Sequence, residues 1–146
     1  MTTGDTNSEG HTNCQSLNFD DQYLFFRFQI KWVEENFGNG WKSEVDVSFS
    51  KNPISTFIAV KDGKIIGFST YDSAYLNFLG PMGVSKGYRK RGLGKVLLYL
   101  ALKSMKEMGY AYAIIGGVGP AKFYEITFGA KIIKGSDPGI YKGILS

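Results

Sequence analysis

Apolar positions recur along the chain with two different periods, and each change of period marks out an element. Residues 1–16 hold almost no apolar side chains and are rich in Gly, Thr, Asn and Ser, so they cannot offset the entropy of ordering and predict a mobile tail. Tyr23, Leu24, Phe26, Ile30, Val33 and Phe37 then fall at mostly helical spacing, with Asn18 or Asp20 as the cap and Gly38-Asn39-Gly40 as the stop. A second helical stretch opens at Trp41, with Glu44 one turn on. Thr56–Val60 and Lys64–Tyr71 predict strands, and Lys61-Asp62-Gly63 between them supplies an Asp-Gly turn that favours a hairpin. A further strand runs from Tyr75 to Val84, interrupted by Gly80-Pro81. Proline cannot donate a ladder hydrogen bond, so pairing breaks there and backbone groups become free for a ligand.

The next helix begins near Arg91 or Gly92, presents Leu93, Val96, Leu97, Leu100, Ala101, Ser104 and Met108 on one stripe, and stops at Gly109. Tyr110–Ile115 predicts a short strand, and Pro120 starts a brief helix through Ala121, Phe123, Tyr124 and Ile126. Lys131–Lys134 and Gly139–Leu145 predict closing strands. The order of elements is mixed α/β, without an internal repeat.

Composition narrows this picture. At 146 residues and 43% hydrophobic, the chain supports one core that buries roughly 70% of the unfolded surface, so residues 17–146 read as a single domain after the tail. There is no long apolar run and no signal-like start, which predicts a cytoplasmic protein without a membrane partner. The single cysteine, Cys14, and the single histidine, His11, both sit in the polar tail. Their placement argues against Ser-His-Asp and Cys-His catalysis and against a metal site.

Charge is concentrated. The net charge is +4, and seven of the seventeen Lys and Arg lie between Lys86 and Lys106. Within that region Val84-Ser-Lys-Gly-Tyr-Arg89-Lys90-Arg91-Gly92-Leu93-Gly94-Lys95 leaves an apolar run and opens into the amphipathic helix. A helix N-terminus offers unpaired N–H groups and the positive end of the macrodipole. Gly92 and Gly94 remove side chains that would hold a phosphate away, and Arg89, Lys90, Arg91 and Lys95 add charge around it. A P-loop is disfavoured because Arg89 stands five residues before Gly94-Lys95 and Val96 follows. Glycines at 87, 92 and 94 do not give the dinucleotide order. Nucleic acid is disfavoured too, since only Tyr88 and Tyr99 offer stacking platforms near the patch.

Arg89-x-x-Gly92-x-Gly94, after a strand ending at Val84, resembles the acyl-CoA signature of the GNAT superfamily of N-acyltransferases. Phe123-Tyr124-Glu125-x-x-Phe128-Gly129-Ala130 resembles a second element of that family. The resemblance implies a mixed, mostly antiparallel central sheet, splayed at the cofactor site and flanked by helices. It implies acetyl-CoA as co-substrate, lying between Met82-Gly83-Val84 and Ile114-Ile115-Gly116, with no metal. By resemblance, cofactor binding falls to Met82, Gly83, Val84, Arg89, Lys90, Arg91, Gly92, Leu93, Gly94, Lys95 and Phe123. Tyr124 would be the general acid that protonates the departing thiolate. On the residues alone, a helical tyrosine beside a phenylalanine is more often core than catalyst, a balance that the cationic segment upstream reverses.

The chain departs from the family pattern in three places. Gly117 stands where an asparagine is common, Gly129 falls one residue late, and no strand precedes residue 20, which leaves pairing with a second copy open. Tyr75–Leu79 holds no carboxylate to act as base, and Glu34, Glu35, Glu44 and Asp72 read as solvated charges. Phe25, Trp32, Trp41 and Tyr141 either line an acceptor pocket or pack the helices. The function implied is an acetyl-CoA-dependent N-acetyltransferase acting by direct attack of a small-molecule or peptide amine. The alternative is a non-catalytic acyl-CoA-binding or regulatory domain.

Overall fold

The computed structural model describes residues 19–137, with side chains from residue 24 onward. The tail with His11 and Cys14, the Asn18 cap, and the expected 139–145 strand with Tyr141 lie outside that range. Helices α1 (Phe19–Phe37) and α2 (Asn39–Phe49) come first, followed by strands β1 (Thr56–Lys61), β2 (Lys64–Tyr71) and β3 (Phe78–Val84). Helix α3 (Leu93–Glu107), strand β4 (Ile114–Ile115) and helix α4 (Ala121–Phe128) complete the order. The strands form one sheet in the order β1-β2-β3-β4, antiparallel except for the β3–β4 pair. This is the mixed, mostly antiparallel sheet that the sequence implies.

Local chemistry sets the boundaries. Gly38 at φ 98 breaks α1 from α2, which therefore starts at Asn39 rather than Trp41. Asp20 lies inside α1 and does not cap it. Asp62 and Gly63 both take positive φ, 50 and 70, the conformation of a two-residue hairpin turn that matches strand twist.

Each face of the sheet has its own core. On one face Phe68 is buried with Val33 and Val45, ringed by Trp32, Phe37 and Phe49. Gly83 makes this packing close, because a Cβ there would lie 2.5 Å from Cζ of Phe37. On the other face Tyr71 and Leu79 pack against Leu98, Ala101 and Met105 of α3. Ser69 Oγ donates to the Leu97 carbonyl at 2.9 Å, and a Cβ on Gly67 would stand 3.0 Å from Leu97 Cδ1. Helix α3 thus lies directly on the β2 backbone.

Four sequence expectations change, the first being the strand expected from Tyr75, which begins only at Phe78 after the turn in which Asp72 accepts from Asn77 N–H. The buried line of α3 is Leu97, Leu98, Ala101 and Met105, while Val96 and Met108 are more than half exposed. The apolar stripe is wider than the contact, and the sheet takes the line through 98, 101 and 105. Residues 110–113 are not a strand, because β3 begins only at Phe78, opposite Ile114, and offers them no earlier partner. Lys131–Lys134 form no strand either, and Ile132 and Ile133 are exposed. A two-residue β4 presents too short an edge to template a neighbour there.

Gly83→Ala should lower stability by about 1–3 kcal/mol through overpacking against Phe37. Gly40→Ala, with nothing within 4 Å of the added methyl, should leave stability unchanged or raise it by up to about 1 kcal/mol. Paired thermal melts of the two variants check the contrast.

Candidate active site

The phase of the β2–β3 ladder decides which backbone groups of β3 are free. Ser85 N–H donates to the Ile66 carbonyl at 2.9 Å, and Gly83 stands opposite Phe68 in the same phase. Alternation then turns the N–H and C=O of Met82 and Val84 toward the other edge. On that edge β4 pairs only through Phe78 with Ile114 and Leu79 with Ile115. No β3–β4 pair follows these two, and among the described residues the edge of β3 at Met82 and Val84 has no strand partner.

The break expected at Gly80-Pro81 is present as a register shift between Ser69 and Tyr71, with Gly80 at φ 120. Thr70 Oγ1 donates to the Pro81 carbonyl at 2.9 Å and Ser73 Oγ to the Gly80 carbonyl at 3.0 Å. These two hydroxyls keep the irregular stretch anchored to β2.

After Val84 the chain makes one 3-10 turn, Lys86–Tyr88, and Arg89 folds back so that its Nε donates to the Val84 carbonyl at 2.9 Å. Lys90 at φ 61 and Gly92 at φ 82 shape the entry to α3. Gly92 is the N-cap and supplies no side-chain acceptor, so the first-turn N–H groups have no side-chain cap. Arg89, Lys90, Arg91 and Lys95 are exposed, and among the described residues none of them enters an ion pair. Lys61 Nζ and the Arg91 guanidinium each lie 5.7 Å from the Tyr88 ring centre, which ties the β1–β2 hairpin to this loop.

Met82, Val84, Gly94 and Phe123 converge. A Cβ on Gly94 would sit 3.6 Å from Phe123 Cζ, 3.8 Å from Val84 Cγ2 and 4.0 Å from Met82 Cε. Leu93 lies beneath, with Cδ2 3.5 Å from the position of a Gly67 Cβ. Gly83 faces the opposite way, under Phe37. Tyr124, one residue past Phe123 and edge-on to it at 5.1 Å, turns elsewhere: it lines a cavity of about 180 Å³ with Leu79, Leu98, Leu102, Ala113, Ile115 and Phe128. Leu79 and Ile115 are the last paired residues of β3 and β4, so Tyr124 stands beside the last β3–β4 pair. Burial raises its phenol above the ordinary value near 10, which keeps it protonated at neutral pH.

The four acids have distinct surroundings. Glu34 pairs with Lys42 at 2.9 Å and Glu35 with Lys31 at 3.7 Å. Glu44 is half-buried, and desolvation raises its carboxyl. Asp72 is not the solvated charge expected: it is 5% exposed, with Oδ1 accepting from Asn77 N–H at 2.7 Å and Oδ2 from the Tyr110 hydroxyl at 2.9 Å. Trp32 and Trp41 pack with Phe37 and Phe68, and Phe25 stands edge-on to Phe26. The packing reading therefore holds for Trp32 and Trp41, which meet Phe68 of the sheet.

A cationic helix start without a side-chain cap, in line with an open strand edge, suits an elongated ligand with a diphosphate at one end and an amide-bearing arm. Coenzyme A has that form, and Gly94 leaves the space that a larger side chain would fill. Among the described residues no three His, Cys, Asp or Glu are placed to share a metal, and no helix is long and apolar enough to cross a membrane.

Residues 17–129 match the model of the Acetyltransferase (GNAT) family, and the chain belongs to that family. Solved structures agree on the fold. A GNAT family N-acetyltransferase (YhbS) from Escherichia coli, in complex with CoA, superposes with a TM-score of 0.53 at 22% identity, covering 70% of this chain and 62% of that one. This chain thus spans less than two thirds of the E. coli protein. AAC(6')-Iy, in complex with the bisubstrate analog CoA-S-monomethyl-acetylneamine, gives 0.54 at 17% identity over 75% of this chain and 89% of that one. The aminoglycoside acetyltransferase meta-AAC0020, from an uncultured soil metagenomic sample and in complex with trehalose, gives 0.52 at 18% over 77% and 83%. No curated protein matches the sequence.

Sequence reasoning missed Thr70 and Ser73, which hold the bulge, and Lys61, which reaches Tyr88 from the hairpin. The only signal available was a run of hydroxyls opposite a proline. Replacing Arg91 and Lys95 together by Ala should leave the melting temperature nearly unchanged, since both are exposed, and weaken CoA binding at least about tenfold by calorimetry.

Proposed function

We propose that the protein transfers an acetyl group from acetyl-CoA to a primary amine by direct attack in a ternary complex. The observation that carries this reading is the order of three features. The α3 start has no side-chain cap, the adjoining Met82–Val84 edge has no strand partner among the described residues, and Tyr124 lies beside the last β3–β4 pair, and this order along the fold supports one elongated ligand.

The first-turn amides of α3, with Arg91 and Lys95, hold the diphosphate; the Val84 N–H and the Met82 backbone groups face the pantetheine arm, while the Val84 carbonyl is held by Arg89. Phe123 stands beside Gly94. The amine nitrogen attacks the thioester carbonyl carbon, the C–S bond breaks, and Tyr124 gives its proton to the departing sulfur while the amine loses one to solvent. Burial fits Tyr124 for this step, because an acid that stays protonated at neutral pH has a proton to give. Bringing amine and thioester together supplies most of the acceleration, with effective concentrations of about 10⁵ to 10⁸ M.

A small-molecule acceptor is supported by the two aminoglycoside enzymes of similar fold. The acceptor meets the thioester from the α1–α2 side, where Glu44 keeps a half-buried carboxyl.

Thiol release from acetyl-CoA across a panel of amines, aminoglycosides included, tests the reading. CoA binding with a silent panel would favour the non-catalytic alternative. Tyr124→Phe should lower kcat by about 10² or more and leave the CoA dissociation constant unchanged. Because the phenol is raised, Tyr124 should cause no alkaline loss of kcat below about pH 10; a falling limb near pH 8 that vanishes in Tyr124→Phe would contradict that assignment.

A further inference from the structure

At the far end of α3 from its cationic start, about 22 Å away by helix rise, lies a second cavity, of about 160 Å³. Asp72, Ser55 and Tyr110 line it, and Pro53, Leu76 and Met108 form an apolar rim. It sits behind the closed part of the β3–β4 pair, since Asn77 carries both the N–H bonded to Asp72 and the carbonyl that takes Ile114 N–H at 2.9 Å.

Two features of the cavity are unbalanced. The Asp72 carboxylate is 5% exposed and receives two neutral hydrogen bonds, from Asn77 and Tyr110, yet no cation lies within ion-pair reach among the described residues. Lys51 lines the same cavity without pairing to it. Two donors leave about half of a carboxylate's lone-pair sites open. Ser55 is 2% exposed, and its Oγ has no hydrogen-bond partner. Its backbone is fixed on both sides, with N–H given to Ser48 and the carbonyl taken by Tyr71 N–H at 3.0 Å, so only the side chain is left over. A buried hydroxyl and a buried charge, each short of a partner, are costly unless something completes them.

We propose that this cavity binds a small organic ammonium that also carries a hydroxyl, separately from the acyl-transfer site. The ammonium meets the open lone pairs of Asp72, the hydroxyl pairs with Ser55 Oγ, and the short carbon chain lies against Pro53, Leu76 and Met108. An ammonium supplies donors and charge together, whereas water would leave the carboxylate uncompensated.

Calorimetric titration of the full chain with ethanolamine tests this, with ethylene glycol and potassium chloride as arms that separate the charge from the organic body. The expected result is saturable one-to-one binding of ethanolamine alone, unaffected by saturating CoA and weakened at least about tenfold in Asp72→Asn. Ser55→Ala removes a hydroxyl that bonds to nothing in the protein, so it should fold normally and also bind ethanolamine more weakly. It keeps the test valid should Asp72→Asn fail to fold. No saturable binding, equal uptake of ethylene glycol, or affinity unchanged in Ser55→Ala and in folded Asp72→Asn would overturn the proposal. Binding of potassium alone would assign the site to an inorganic cation and overturn it as well.

Discussion

Two parallel strands that share hydrogen bonds over only two residue pairs leave the end of β3 without a strand partner on that side among the described residues. Such an edge alone would be unstable, because a strand released on one side tends to fray or to recruit a new neighbour. Here β3 stays anchored by its other edge. Thr70 and Ser73 take the carbonyls of Pro81 and Gly80 where the ladder slips, so the irregular stretch loses no buried hydrogen bond. The Met82–Val84 edge is thereby held straight and open at once.

The cationic start of α3 is placed against that edge by apolar packing rather than by charge. Leu97, Leu98 and Met105 are buried to within 2% of their surface, each contributing about 1.5–3 kcal/mol. The ion pairs Lys31–Glu35 and Lys103–Glu107 are exposed and contribute little. Gly67 lets the first turns of α3 rest on the β2 backbone, which sets the helix start level with the end of β3. Arg89 and Arg91 also shape the loop through Val84 and Tyr88, but none of the cations at 89, 90, 91 and 95 is neutralised by an ion pair among the described residues.

Features written within a few residues were legible in the sequence. The Asp62-Gly63 turn, the Gly38 break, the slip at Gly80-Pro81 and the glycine-rich entry to α3 all follow from local backbone chemistry. Features that depend on a distant partner were not. Residues 110–113 look like a strand until β3 is found to begin at Phe78, and Asp72 looks like a solvated charge until Tyr110, thirty-eight positions on, closes over it. The burying face of α3 was misjudged for the same reason: Val96 and Met108 are apolar, but only the sheet decides which line of the helix it covers.

Phe123 and Tyr124 show how one short helix serves two places. Neighbouring helical residues point about 100° apart, so the pair cannot share an environment. Phe123 takes the place beside Met82, Val84 and Gly94, and Tyr124 takes the place beside Leu79 and Ile115. The sequence posed core and catalyst as rival readings of Tyr124, and its burial is compatible with both. An apolar setting is what lifts a phenol's pKa and preserves its proton, so the burial that marks a core residue is also the condition such an acid requires.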